Sequence, residues 1–182
     1  MEQYFKCYPG TPRSTKSSVR YSEYRLVKAQ EQISFSSVSI DTIISYVNDF
    51  FTMIGMNKIE SPIIYNPQRI DYKKIKTDNQ LTDKRDIVWM KFTEDGYLGV
   101  VATSSDVNFD IPRDSSEYKE KKYKSSGILV HQLNKKWDNS FVLLFPLSNI
   151  PHGYKRGDIE RAIGNYLIDK KVPIIDFYSH NY

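Results

Sequence analysis

The pattern of apolar and polar positions is clearest between Ser39 and Gly55. Ile40, Ile43, Ile44, Val47, Phe50, Phe51 and Ile54 recur at helical spacing and form one broad apolar stripe. Ser39 stands where an N-cap belongs and Gly55 where a C-terminal cap belongs. The pattern predicts a core helix from about Ser39 to Ile54. Further on the period shortens. DIVWMKFTEDGYLGVVATSS predicts a hairpin, with Asp95-Gly96 supplying the positive φ angles of a tight turn. GILVHQLN, KKWDNS and FVLLFPL predict a second hairpin, and the unbroken run FVLLF predicts a central strand buried on both faces.

The remaining segments are less regular. EQYFKCY predicts a short strand ended by Pro9 and Gly10, and YRLVKAQEQISFSSV is ambiguous, with alternation at Ile33, Phe35 and Val38 favouring a strand near its end. Residues 57 to 85, with Pro62 and Pro67, read as a connection holding one brief strand. Asp158 is placed to cap a helix running from Ile159 to about Lys170, with Ile159, Ala162, Ile163, Tyr166 and Leu167 on one face. Pro173 ends it, and VPIIDFY reads as a strand returning to the same sheet. The expected architecture is a single α+β domain over residues 1 to 182: an antiparallel-dominated sheet of two hairpins plus a C-terminal strand, covered by two helices. Flexible basic loops are expected at about 10 to 22 and 111 to 126.

Length and cysteine content narrow the class. A chain of 182 residues buries enough surface to fold without disulfides or a structural metal, and its one cysteine, Cys7, has no internal partner. No apolar run reaches the roughly 18 residues of a membrane span, and no signal peptide is recognisable at the start. The expectation is a soluble protein of the bacterial cytoplasm, with no membrane contact. Lys outnumbers Arg 18 to 8, and 19 Ile and 10 Asn stand against 3 Ala, a skew that fits an AT-rich genome.

The net charge of +4 conceals alternating bands. Residues 1 to 36 carry +3, 37 to 60 carry −2, 61 to 85 carry +3 and 86 to 112 carry −4. Residues 113 to 124 and 125 to 182 carry +2 each. Two basic stretches are interleaved with tyrosine: Arg13, Lys16, Arg20 and Arg25 with Tyr21 and Tyr24, then Lys119, Lys121, Lys122 and Lys124 with Tyr118 and Tyr123. Cations neutralise phosphates and tyrosine rings stack on splayed bases, so these stretches and the Lys155-Arg156 turn are the candidate binding residues. Tyrosine-rich loops equally suit a protein partner, and the acidic segment with Glu94, Asp95, Asp106 and Asp110 complements a basic one.

Catalytic constellations are weaker. Gly10, Thr15, Lys16 and Ser17 fit a phosphate-binding loop except that Thr15 stands where glycine belongs, and Pro12 removes an amide. Asp106, Asp110, Glu117 and Lys119 supply the residue types of a divalent-metal-dependent nuclease, but the Glu-x-Lys lies in a charged excursion and not on an apolar strand. His131, His152 and His180 lie in three different contexts, with no zinc-binding spacing among them. His152 sits beside Lys155 and Arg156, where a phosphate is a conceivable ligand.

No catalytic residue, metal or cofactor is therefore assigned. In modest size, AT-rich composition and lack of enzyme motifs the chain resembles accessory proteins of phages and mobile elements, among them anti-CRISPR inhibitors of defence nucleases. That resemblance is one of general character and carries over no residues. It implies a non-enzymatic inhibitor or adaptor whose partner is a nucleic-acid-handling protein, or nucleic acid itself; the alternative is the nuclease.

Overall fold

Helix α1 forms over Ile40–Met53, where its capping chemistry places it. The Ser39 hydroxyl accepts from the Thr42 amide at 3.3 Å, filling one of the first-turn donors that a helix leaves unpaired. Ile43, Val47, Phe50 and Phe51 line its inner face and are fully buried. At the other end Gly55 takes φ +79°. The Gly55 amide donates to Thr52 O at 3.2 Å and the Met56 amide to Phe51 O at 2.8 Å, the paired bonds of a Schellman motif. Met56 then folds back into the core beside Phe51.

This computed structural model describes residues 1–5, 38–60, 63–65, 77–81, 86–92, 99–104 and 141–176. Within them the chain is α+β. The strands are β1 (Ile63–Tyr65), β2 (Ile87–Phe92), β3 (Gly99–Ser104), β4 (Phe141–Pro146) and β5 (Ile174–Asp176), arranged β1-β4-β2-β3-β5. β2 pairs antiparallel with both β3 and β4, and β1 antiparallel with β4. β5 returns to the sheet, as its position after a helix suggests, but runs parallel to β3. The first strand expected of the second hairpin, residues 127 to 134, lies outside the described residues, as does the Asp95-Gly96 turn.

Alternation along the central strands divides the core. Val88, Met90 and Phe92 of β2 stand opposite Phe145, Leu143 and Phe141 of β4, and all six join the cluster that includes α1. The Phe92 and Phe141 rings stack at 5.5 Å, and Phe51 meets Phe145 edge-on at 6.0 Å. Ile87, Trp89, Val142 and Leu144 point to the opposite face and are buried as well. The FVLLF run is thus a strand enclosed on both sides, which is what its unbroken apolar character requires.

Helix α2 spans Arg156–Asp169 and begins earlier than expected. Lys155 occupies the N-cap position, and Asp158, expected there, is the third helical residue. Its Oδ2 accepts from the Lys155 amide at 2.9 Å and its Oδ1 from Arg161 at 2.6 Å. The carboxylate therefore caps from inside the first turn, where the helix dipole also favours an anion. Nine of the 14 residues of α2 are buried, Glu160 and Asn165 among them, so this helix runs through the interior and not over it. Tyr166 packs on Phe50 at 5.6 Å, and Lys170 Nζ lies 5.7 Å from the Tyr46 ring and 5.3 Å from that of Tyr166, holding the two helices together. α2 closes with the same motif as α1: Lys171 and Val172 donate to Ile168 O and Leu167 O, both at 2.9 Å. Here Lys171, at φ +64°, stands where α1 has glycine.

The N-terminus departs from expectation. Glu2–Phe5 is a single 3-10 turn and not a strand. The Tyr4 amide donates to Met1 O at 3.1 Å, and the rings of Tyr4 and Phe5 both engage the α2 side of the molecule. A strand would send neighbouring side chains to opposite faces, so the turn follows from that shared seat.

Candidate functional site

Of the sequence-predicted binding residues, Lys155 and Arg156 fall in the described structure. The segment before them leaves β4 at Pro146, drops Ile150 against the core and turns at Pro151–Tyr154. The Tyr154 amide donates to Pro151 O at 3.1 Å. Gly153 has φ +91°, the backbone that a type II turn demands of its third residue. Nothing lies within 4 Å of where a Gly153 Cβ would stand, so the glycine serves conformation and not space.

This turn presents His152, Gly153, Tyr154 and Lys155 to solvent. The Tyr154 ring, 37% exposed, stacks on Phe5 at 4.2 Å with 26° between the planes. Lys155 is exposed at the helix start. Arg156, its neighbour, is half-buried, and its guanidinium lies 3.3 Å from Asp86 Oδ1. Asp86 also accepts from the Leu147 amide through its carbonyl at 2.8 Å. The two adjacent cations therefore do different things. Lys155 faces outward, whereas Arg156 ties the start of α2 to the strand pair β2 and β4.

His152 shares this outward surface, which brings an imidazole, a phenol and an ammonium group into one short turn. Among the described residues, no group of three or more His, Cys, Asp and Glu side chains is placed to hold a metal ion. Nor is any described helix long and apolar enough to cross a membrane. Arg13, Lys16, Arg20, Tyr21, Tyr24 and Arg25 lie outside the described residues, as do Tyr118, Lys119, Lys121, Lys122, Tyr123 and Lys124. The same holds for Asp106, Asp110, Glu117, His131 and His180, and for the phosphate-loop residues Gly10 to Ser17.

The structure adds a constellation that sequence reasoning did not find. Asn165 Nδ2 donates to Tyr4 O at 2.7 Å, and the Tyr4 hydroxyl donates to Asp169 Oδ2 at 3.0 Å. Burial, reinforced by the bond to Asp169 and its negative charge, raises the Tyr4 phenol above its ordinary value, with a bond from Gln3 working the other way. Partners separated by more than 160 positions leave no local pattern. The one signal was Asn165 itself, a polar residue on the buried run of a helix.

Comparison with protein-family models, with curated proteins and with solved structures finds no match to this chain.

Proposed function

We propose that the chain is a single α+β domain that acts by binding and not by catalysis. In this reading it is an inhibitor or adaptor that contacts a nucleic-acid-handling protein in the bacterial cytoplasm, such as a CRISPR defence nuclease, or that protein's nucleic acid. The observation that carries the reading is the turn before α2. His152, Tyr154 and Lys155 are held outward there by the Pro151–Tyr154 turn and the Arg156–Asp86 pair that follows it. A pre-organised cationic and aromatic projection loses little entropy on binding, and it suits phosphate and base contact or the acidic rim of a protein partner. The two basic, tyrosine-bearing stretches around Lys16 and Lys121 are the further contacts.

The test is direct. Fluorescence anisotropy with labelled DNA and RNA should show binding that weakens steeply from about 50 to 200 mM salt. Lys155→Glu and the pair Lys121→Glu and Lys122→Glu should each weaken it further. Capture from a low-GC bacterial lysate, before and after nuclease treatment, separates a protein partner from one bridged by nucleic acid. Cleavage of DNA or RNA in Mg²⁺ or Mn²⁺ by the purified protein would overturn the non-enzymatic reading in favour of the nuclease built on Asp106, Asp110, Glu117 and Lys119.

A further inference from the structure

The five N-terminal residues are attached to a site whose chemistry is more elaborate than their own. None of Glu2–Phe5 is buried. Beneath them, Phe50 is fully buried, Asn165 is 6% exposed and Tyr166 is 7% exposed. The Tyr4 ring meets the Tyr166 ring edge-on at 5.2 Å while its hydroxyl reaches Asp169 at 3.0 Å. The Phe5 ring lies flat on Tyr154 at 4.2 Å and packs at 6.3 Å from Phe50. Between these two ring seats, the Asn165 amide takes the carbonyl that joins Tyr4 to Phe5.

We propose that Met1–Phe5 is a releasable strap, and that the notch under it is a peptide-binding site reading an aromatic pair and the carbonyl between its members. In this structure the chain's own N-terminus is the occupant. A side-chain amide buried in the middle of a helix is costly unless bonded. One bond that Asn165 makes here is to a backbone carbonyl, an acceptor every peptide carries, while the flanking seats select what accompanies it. The two sides differ in how they are anchored. The seat belongs to the core cluster through Phe50 and Tyr166, whereas the strap contributes only partly buried rings. Among the described residues, its departure breaks two side-chain hydrogen bonds and three ring contacts and removes no strand pairing.

Arithmetic fixes the consequence. Take a dissociation constant of about 100 μM for a free pentapeptide that makes the three ring contacts and the hydrogen bond to Asn165, a value well inside the ceiling for ligands of its size. A tethered segment competes at an effective concentration of about 1 mM. The strap is then seated about nine-tenths of the time, and a free peptide meets a roughly tenfold weaker apparent affinity on the wild-type chain than on one whose strap cannot seat.

The experiment uses the full-length chain and a fluorescent peptide of sequence MEQYF, amidated at its C-terminus. The Tyr4→Ala, Phe5→Ala double variant should bind the peptide saturably, one per chain, about tenfold more tightly than wild type does. A peptide with both aromatics replaced by alanine should not bind. Equal binding by variant and wild type would overturn the proposal, as would absence of binding to a variant that still melts cooperatively. Saturation at one peptide per two chains would also overturn it, assigning the notch to a second copy of the chain. Wild-type protein supplies a measurement that needs no variant. The amides of Gln3 to Phe5 should exchange hydrogen far faster than those of Ile163 to Leu167, independently of urea at low concentration. Protection of both segments by one common, urea-dependent opening would overturn the strap.

Discussion

Asn48 holds Ile59 by both ends of its peptide-like amide. Its Nδ2 donates to Ile59 O at 3.0 Å and its Oδ1 accepts from the Ile59 amide at 2.8 Å. A side chain on α1 thus stands in for a neighbouring strand, satisfying the backbone of a segment that has left the helix. Asn48→Ala should lower stability by about 1 to 3 kcal/mol, because two part-buried backbone groups lose their partners. Asn48→Asp should do no better: it keeps the acceptor but sets a negative charge against the Ile59 carbonyl. Chemical denaturation of the three proteins checks both outcomes, and an Asp variant as stable as wild type would refute the two-ended account.

The matched C-termini of the helices make opposite predictions. Gly55 at φ +79° has open space around its missing Cβ, so Gly55→Ala should be destabilising through backbone conformation alone, by about 1 kcal/mol. Lys171 at φ +64° carries that penalty already. Lys171→Gly should therefore raise stability by about 0.5 to 1 kcal/mol, visible as an increase in Tm.

The start of α2 separates a cap from a surface pair. Asp158 accepts from both the Lys155 amide and Arg161, and Asp158→Ala should cost about 1 kcal/mol. Asp86 pairs with Arg156 through side chains that are 44% and 34% exposed, and Asp86→Asn should cost less than about 1 kcal/mol, shrinking further in salt. Lys155→Glu should leave Tm unchanged while reducing any anion-dependent binding.

Tyr4 gives the molecule an alkaline sensitivity of stated sign. Burial, then Asp169, raises its phenol above the ordinary value of 10.0. The folded chain therefore holds this proton more tightly than the unfolded chain. The stability it contributes is complete below about pH 10 and is lost as pH climbs through the raised value. Urea titrations from pH 8 upward should show wild type losing stability above pH 10 more steeply than Tyr4→Phe. Parallel curves would refute the linkage.

What could be read from the sequence was whatever neighbours along the chain decide. α1 was legible because Ser39, its apolar stripe and Gly55 all lie within one window. β4 was legible because FVLLF has no polar position to turn toward water. Asp158 was recognised as the acid that opens α2, but its place inside the first turn, with Lys155 at the cap, depends on the path of the turn at Gly153. The insertion of β4 between β1 and β2 rests on pairings such as Ile63 with Leu144 that no window contains. The seat of Tyr4 was hidden for the same reason, since Asn165, Tyr166 and Asp169 lie at the far end of the chain. The turn at Glu2–Phe5 was misread because EQYFKCY has strand-like composition, and composition does not record that two adjacent rings share one support.

The order of the strands has a bearing on self-association. Among the described residues, the two outermost strands, β1 and β5, have three residues each, whereas the three inside them have six. An outer strand of that length offers another chain very few free amides and carbonyls to zip against. The central strand β2, one of the long ones, has both flanks taken along its length. Its length is used inward, and the outermost of the described strands are short stubs.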